Sequence, residues 1–144
     1  MRRTMTLLVL LLAGVVGFAL WVRLAPDDVA RWHVALAPVP GEEAGPVLRG
    51  MTGGAIAFLP AADPAEALAR LARVAAAAPR TRLLAGSAEE GRMTWVARSA
   101  LWGFPDYVTA EVAPGGLRLW SRLRYGRGDM GVNLARLQDW LGRM

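Results

Sequence analysis

Between Arg3 and Arg23 the chain runs from Thr4 to Val22 without a charged residue. At about 1.5 Å per residue such a run makes a helix about 30 Å long, the thickness of the hydrocarbon core of a bilayer. A segment of this kind either stays in lipid or is removed as a secretory signal, for which Gly17 and Ala19 would supply the small residues of a cleavage point. Apolar character continues through Leu20, Trp21 and Val22, and an indole beside Arg23 has the form of an interfacial anchor at the far end of a span. Residues 4–22 are therefore read as an uncleaved, single-pass transmembrane anchor. Arg2 and Arg3 precede it, whereas Arg23 and Arg31 follow it diluted by Asp27 and Asp28, so the positive-inside rule puts the N-terminus in the cytoplasm. The expected location is the inner (cytoplasmic) membrane, with the remaining domain on the periplasmic side.

Charge excludes one large class of partner. The formal charge of +5 includes Arg2, Arg3 and Arg23, which leaves +2 beyond the anchor, too little for a nucleic-acid binder. All seventeen basic residues are Arg, and there is no Cys. Disulfides, thiolate nucleophiles, Schiff-base lysines and thiolate metal sites are thereby absent.

Beyond the anchor, Pro26, Pro38, Pro40, Gly41, Gly45 and Pro46 punctuate the chain densely, which predicts a tether over residues 23–50 with one short helix near Val29 to Leu36. A small domain follows over 51–144. Its first strand is Ala55 to Leu59, and Asp63-Pro64-Ala65-Glu66 then supplies an N-cap, a first-turn Pro and the returning carboxylate of a capping box. Leu68, Leu71, Ala72 and Ala75 recur at helical spacing until Pro79. Strands are expected at Thr81 to Ser87 and Arg92 to Leu101, joined around Glu89-Glu90-Gly91.

Pro114-Gly115-Gly116-Leu117 separates two alternating runs and predicts a hairpin with the Gly pair at its turn. Pairing Pro114 with Leu117 sets Val112 against Leu119, Ala110 against Ser121 and Val108 against Leu123 on an apolar face. The reverse face then carries Arg118, Trp120, Arg122 and Arg124 over Glu111, Thr109 and Tyr107. Arg118, Arg122 and Arg124 are a candidate basic strip for lipid head groups, with an ordinary solvated face as the plain alternative.

Gly126-Arg127-Gly128-Asp129-Met130-Gly131 spells the G-x-G-x-x-G of a dinucleotide turn. That fold requires a parallel strand after the helix and an acidic residue about 20 positions on, so no dinucleotide site is expected here. The turn is read instead as a Gly-rich entry to a final helix that buries Leu134, Leu137, Leu141 and Met144, with Asp129 or Asn133 as its cap.

Ser121, Arg122, Arg124, Gly126, Asp129, Gly131, Asn133 and Arg136, with Phe104 and Asp106 upstream, resemble the closing motif of the domain of unknown function 1499 family over about Asp63 to the C-terminus. Pro105 stands where that pattern has a second acid, Gly128 where Ser is common, and Leu134 where an Arg follows the Asn; the Cys-Pro near the start of such domains is missing. The resemblance implies a fold without implying a reaction, and these departures favour a structural or binding role for the motif.

For an enzyme the inventory is short. His33, the only His, lies in the predicted tether beside Trp32, and the paired acids at Asp27, Glu42 and Glu89 fall in loops. No metal site, no cofactor and no dinucleotide are expected. The reading is an α+β domain, an antiparallel sheet of about five strands with two flanking helices behind a transmembrane helix. It is taken as a non-catalytic envelope protein that associates with another envelope protein or with lipid. The rival is a hydrolase in which Asp106 or Asp129 acts on an anionic substrate held by Arg122, Arg124 and Arg127.

Overall fold

The computed structural model describes residues 2–144. Helix α1 (Arg2–Leu24) is the one helix among these residues long and apolar enough to cross a membrane, a criterion that a signal sequence meets as well. It is exposed along its length until its last turn, where Val22 is buried.

The strands are β1 (Val47–Met51), β2 (Gly54–Pro60), β3 (Thr81–Ser87), β4 (Arg92–Arg98), β5 (Pro105–Ala113) and β6 (Gly116–Leu123). They form one sheet in the order β1-β2-β6-β5-β4-β3. Every pairing among the described residues is antiparallel. The α+β class holds, with six strands rather than about five. The additional one is β1, an edge strand whose Gly50 and flanking Pro46 read as linker. Its register from Val47 opposite Phe58 to Met51 opposite Gly54 comes from pairing with β2, not from its own pattern.

The last hairpin differs from expectation by two residues. Ala113 pairs with Gly116, Val112 with Leu117, Ala110 with Leu119 and Val108 with Ser121. The turn residues are Pro114 and Gly115, the latter at φ +78°, which is the Pro-then-Gly order of a type II turn rather than a Gly-Gly turn. Because side chains alternate with period two, a two-residue slip leaves every residue on its predicted face.

One face of the sheet is covered by helices α3 (Pro64–Ala77) and α4 (Val132–Gly142). Asp63 caps α3 through its Oδ1, 3.0 Å from the Glu66 amide, but Glu66 turns outward to Arg70 and Arg73 instead of closing a capping box. Leu68, Leu71, Leu117, Leu119 and Leu137 are fully buried between the layers, each stabilising the fold by about 1.5–3 kcal/mol. Trp95 of β4 meets Trp140 of α4 edge-on, with ring centroids 5.8 Å apart.

The other face is covered by the segment expected to be a tether. Residues 25–46 cross it as a strap that includes the short helix α2 (Val29–Trp32), capped by Asp28, and a 3₁₀ turn at Glu42–Ala44. Trp32 lies flat on Tyr107, with centroids 3.9 Å apart and planes 6° from parallel, while Leu36 and Val39 are buried farther along. Gly86 makes room for the strap: a Cβ there would lie 2.7 Å from His33 Cε1 and 2.0 Å from the Arg92 carbonyl. The prolines that suggested a free linker instead hold an extended path across a sheet face whose Trp, Leu and Val anchors are spaced too irregularly to mark a helix or strand.

Candidate functional site

The motif residues divide between the two faces of the sheet. Under the N-terminus of α4, Ser121 Oγ donates to Asn133 Oδ1, and Arg136 Nη1 donates to both Ser121 Oγ (3.3 Å) and Asn133 Oδ1. Arg136 Nη2 reaches Asp106 Oδ2 at 3.0 Å. Burial pushes the Asp106 carboxyl above its ordinary range, against the opposing pull of Arg136. Asn133 and Ser121 are wholly buried, so this network ties β5 and β6 to α4 through polar contacts in a dry setting.

Asp129 stands just outside it. Its Oδ2 accepts from the Asn133 amide at 2.9 Å and its Oδ1 from the Gly131 amide at 3.2 Å, which satisfies two donors at the start of α4. Gly131 occupies the N-cap position in the left-handed region and has no side chain to offer. These amide bonds hold the Asp129 carboxyl low despite partial burial. Asn133, the other proposed cap, is buried one residue inside the helix instead. Asp129→Ala is expected to cost about 1 kcal/mol, the usual worth of an N-terminal capping carboxylate. Denaturant melts of the full chain in detergent measure it, and an unchanged midpoint would show that Asp129 does no capping.

On the strap face lie Arg118, Arg122 and Arg124, aligned on one side of β6 but not open to solvent. Arg118 forms a two-pronged pair with Glu42 of the 3₁₀ turn and holds that carboxyl below its usual range. Arg122 is 8 % exposed, bonded to the Trp32 carbonyl and held between the Trp120 ring (4.1 Å) and the Trp32 ring (5.2 Å). Burial lowers its pKa to about 10, which leaves it a cation at neutral pH. Arg124 donates to the Pro26 carbonyl at 2.9 Å and to Tyr107 Oη at 3.2 Å. The head-group strip expected from the hairpin is therefore the bed of the strap: the alternation predicted the alignment, and Trp32, Pro26 and Glu42 cover it.

The centre of this face is Asp27, which the sequence offered only as a loop acid. Its side chain is 4 % exposed and collects Arg82, Arg98 (3.2 Å), Arg124 (3.6 Å) and the Tyr107 hydroxyl. Burial first, and then the bond to Asp27, push the Tyr107 phenol up to about 12, so it remains a donor. Beside it a polar chain runs from His33 Nδ1 to Thr94 Oγ1 (2.9 Å), to Thr109 Oγ1 (3.0 Å) and to the Trp32 carbonyl (3.2 Å). Glu111 accepts from the Leu36 amide and from Arg92. The alternation sets Tyr107 and Glu111 beneath the arginines of the last strand, but Asp27, Trp32 and Glu42 lie much earlier in the chain, belong to no motif and carry no signal that they meet that face.

These positions separate the groups of the proposed hydrolase. Asp106 points to the α4 side, whereas Arg122 and Arg124 point to the strap side of the same sheet, and Arg127 is exposed in the loop after β6. Asp106 therefore does not share a site with Arg122 and Arg124. Among the described residues no group of three or more His, Asp or Glu is placed to hold a metal ion.

The molecule is thus a small α+β domain whose antiparallel sheet is closed by two helices on one side and by an N-terminal strap on the other. Residues 50–144 match the family described as "Protein of unknown function (DUF1499)", and the chain belongs to that family. Neither curated proteins nor solved structures gave a match.

Proposed function

We propose that this protein is a membrane-anchored, non-catalytic domain that works seated on the bilayer surface, where it associates with lipid. One observation carries the reading: the last turns of α1 are packed into the base of the domain. Phe18 lies 6.5 Å from the Trp102 ring and 6.1 Å from that of Phe104, and Trp21 lies 5.7 Å from Tyr125. Val22 is buried, its carbonyl accepts from Arg98, and Arg23 donates to the Leu101 carbonyl at 2.9 Å. Removal of α1 as a cleaved signal would strip the cover from Trp102, Phe104 and Tyr125, which argues for retention. Arg2 and Arg3 ahead of the span support a cytoplasmic N-terminus and a periplasmic domain. The acids and arginines of the motif are spent on one another and on backbone groups, which supports a role other than catalysis.

The loop between β4 and β5 presents Leu101, 74 % exposed, and Trp102 beside a part of α1 that belongs in lipid. Both side chains are expected to enter the interfacial layer, where indoles are favoured. In bilayers containing brominated phosphatidylcholine, the Trp21→Phe chain, which lacks the indole of the anchor itself, should still be quenched through Trp102, and adding Trp102→Phe should abolish most of that quenching while the buried Trp32, Trp95 and Trp140 remain unquenched. No quenching in the Trp21→Phe chain would place the domain away from the surface.

A further inference from the structure

At the foot of the sheet, between the end of α1 and the outer strands β3 and β4, lies an open groove of about 490 Å³. Its walls carry Arg23, Arg80, Arg82 and Arg98 together with the hydroxyls of Thr81 and Ser99, and no acidic side chain lines it. Asp27 approaches from the strap side and pairs with Arg82 and Arg98, leaving four guanidinium groups against one carboxylate. Arg23 and Arg80 have no carboxylate partner among the described residues. Each spends one donor on a carbonyl, that of Leu101 at 2.9 Å and that of Arg98 at 3.3 Å, and a guanidinium has several more to offer. All but Arg98 are well exposed.

We propose that this groove binds the phosphate of an anionic phospholipid from the leaflet in which α1 ends, an assignment that rests on the surface-seated reading above. Two features select a lipid over a soluble phosphate. Arg23 is the first charged residue after the uncharged span, so if α1 crosses the bilayer its guanidinium sits at head-group depth. The far wall continues into the loop of Leu101 and Trp102, which offers an apolar surface for acyl chains beside Phe18. Guanidinium forks match phosphate oxygens in pairs, and the apolar rim adds what free phosphate lacks. The groove also supplies the head-group contact that the covered strip of Arg118, Arg122 and Arg124 does not.

The full chain in detergent, titrated with equal amounts of phosphatidylglycerol and phosphatidylcholine and read by native mass spectrometry, tests the assignment. Wild type is expected to retain phosphatidylglycerol in preference. Each arginine near a surface is worth about fivefold in affinity, so Arg23→Gln/Arg80→Gln should weaken retention about 25-fold. The control Arg70→Gln/Arg73→Gln on the far side of α3 should leave it intact. No preference in wild type, or an equal loss in the control, overturns the proposal. Displacement of the lipid by millimolar glycerol 3-phosphate overturns it in favour of a soluble phosphate. Brominated-lipid quenching of Trp102 in the Trp21→Phe background separates the two readings: quenching retained without anionic preference defeats the groove alone, and absent quenching defeats the seating on which it depends.

Discussion

Trp32→Ala is expected to destabilise the domain by about 3–5 kcal/mol, the range for truncating a buried aromatic side chain. For a domain of this size that corresponds to a fall of about 10–20 °C in Tm. The indole is 6 % exposed, stacks on Tyr107 and forms one wall around the Arg122 cation, so its removal opens a cavity and takes away the ring on one side of a buried charge. The loss should also loosen the strap as a unit, because the Trp32 carbonyl is where Arg122 and Thr109 attach it to the sheet. Thermal melts of the full chain in detergent would read the first effect. Amide hydrogen exchange over residues 25–46 would read the second. A melting temperature within about 2 °C of wild type, where under 1 kcal/mol has been lost, would mean that the segment is a linker after all.

Asp27→Ala should cost about 3–5 kcal/mol, since it leaves Arg82, Arg98 and Arg124 gathered around an empty centre and takes the acceptor from the Tyr107 hydroxyl. Water reaching the half-exposed Arg82 places the expected value at the lower end of that range. Asp28 is the informative neighbour. Its carboxylate only caps the one-turn helix α2, accepting from the Ala30 amide at 3.0 Å, so Asp28→Ala should cost about 1 kcal/mol. Two adjacent aspartates thus differ severalfold in worth, and chemical denaturation of the two variants side by side measures the ratio. Equal costs would defeat the assignment of Asp27 as the organising charge of the strap face.

The parts of the molecule that could be read early are those governed by short-range periodicity. Nineteen uncharged residues specify a bilayer-length helix wherever they occur. Asp63-Pro64 starts α3, the repeat of Leu68, Leu71 and Ala75 gives its buried side, and the alternation around Gly115 sends Arg118, Arg122 and Arg124 to one face. The hairpin slip of two residues shows where this knowledge ends. Parity follows from the pleat, but register depends on whether Pro114 or Gly116 enters the turn. Gly116 is drawn into β6 because it pairs with Pro60 of β2, where a Cβ would meet the Leu59 carbonyl at 2.2 Å.

By itself, then, the sequence determined the apolar helix, the α+β class, most element positions and the facing of the residues in the last hairpin, all of which follow from the local geometry of one helix or one strand. Tertiary structure alone decided what those faces meet. Whether the side bearing Arg118, Arg122 and Arg124 looks out on solvent or lies beneath a cover depends on a segment 76 to 98 residues earlier in the chain. Trp32, Asp27 and Glu42 acquire their roles only when that segment lies down across β4, β5 and β6. The same holds for the basic groove, whose arginines come from the end of α1, the start of β3 and the end of β4. Burial and ion pairing are properties of two surfaces brought together, and no periodicity within either surface encodes the other.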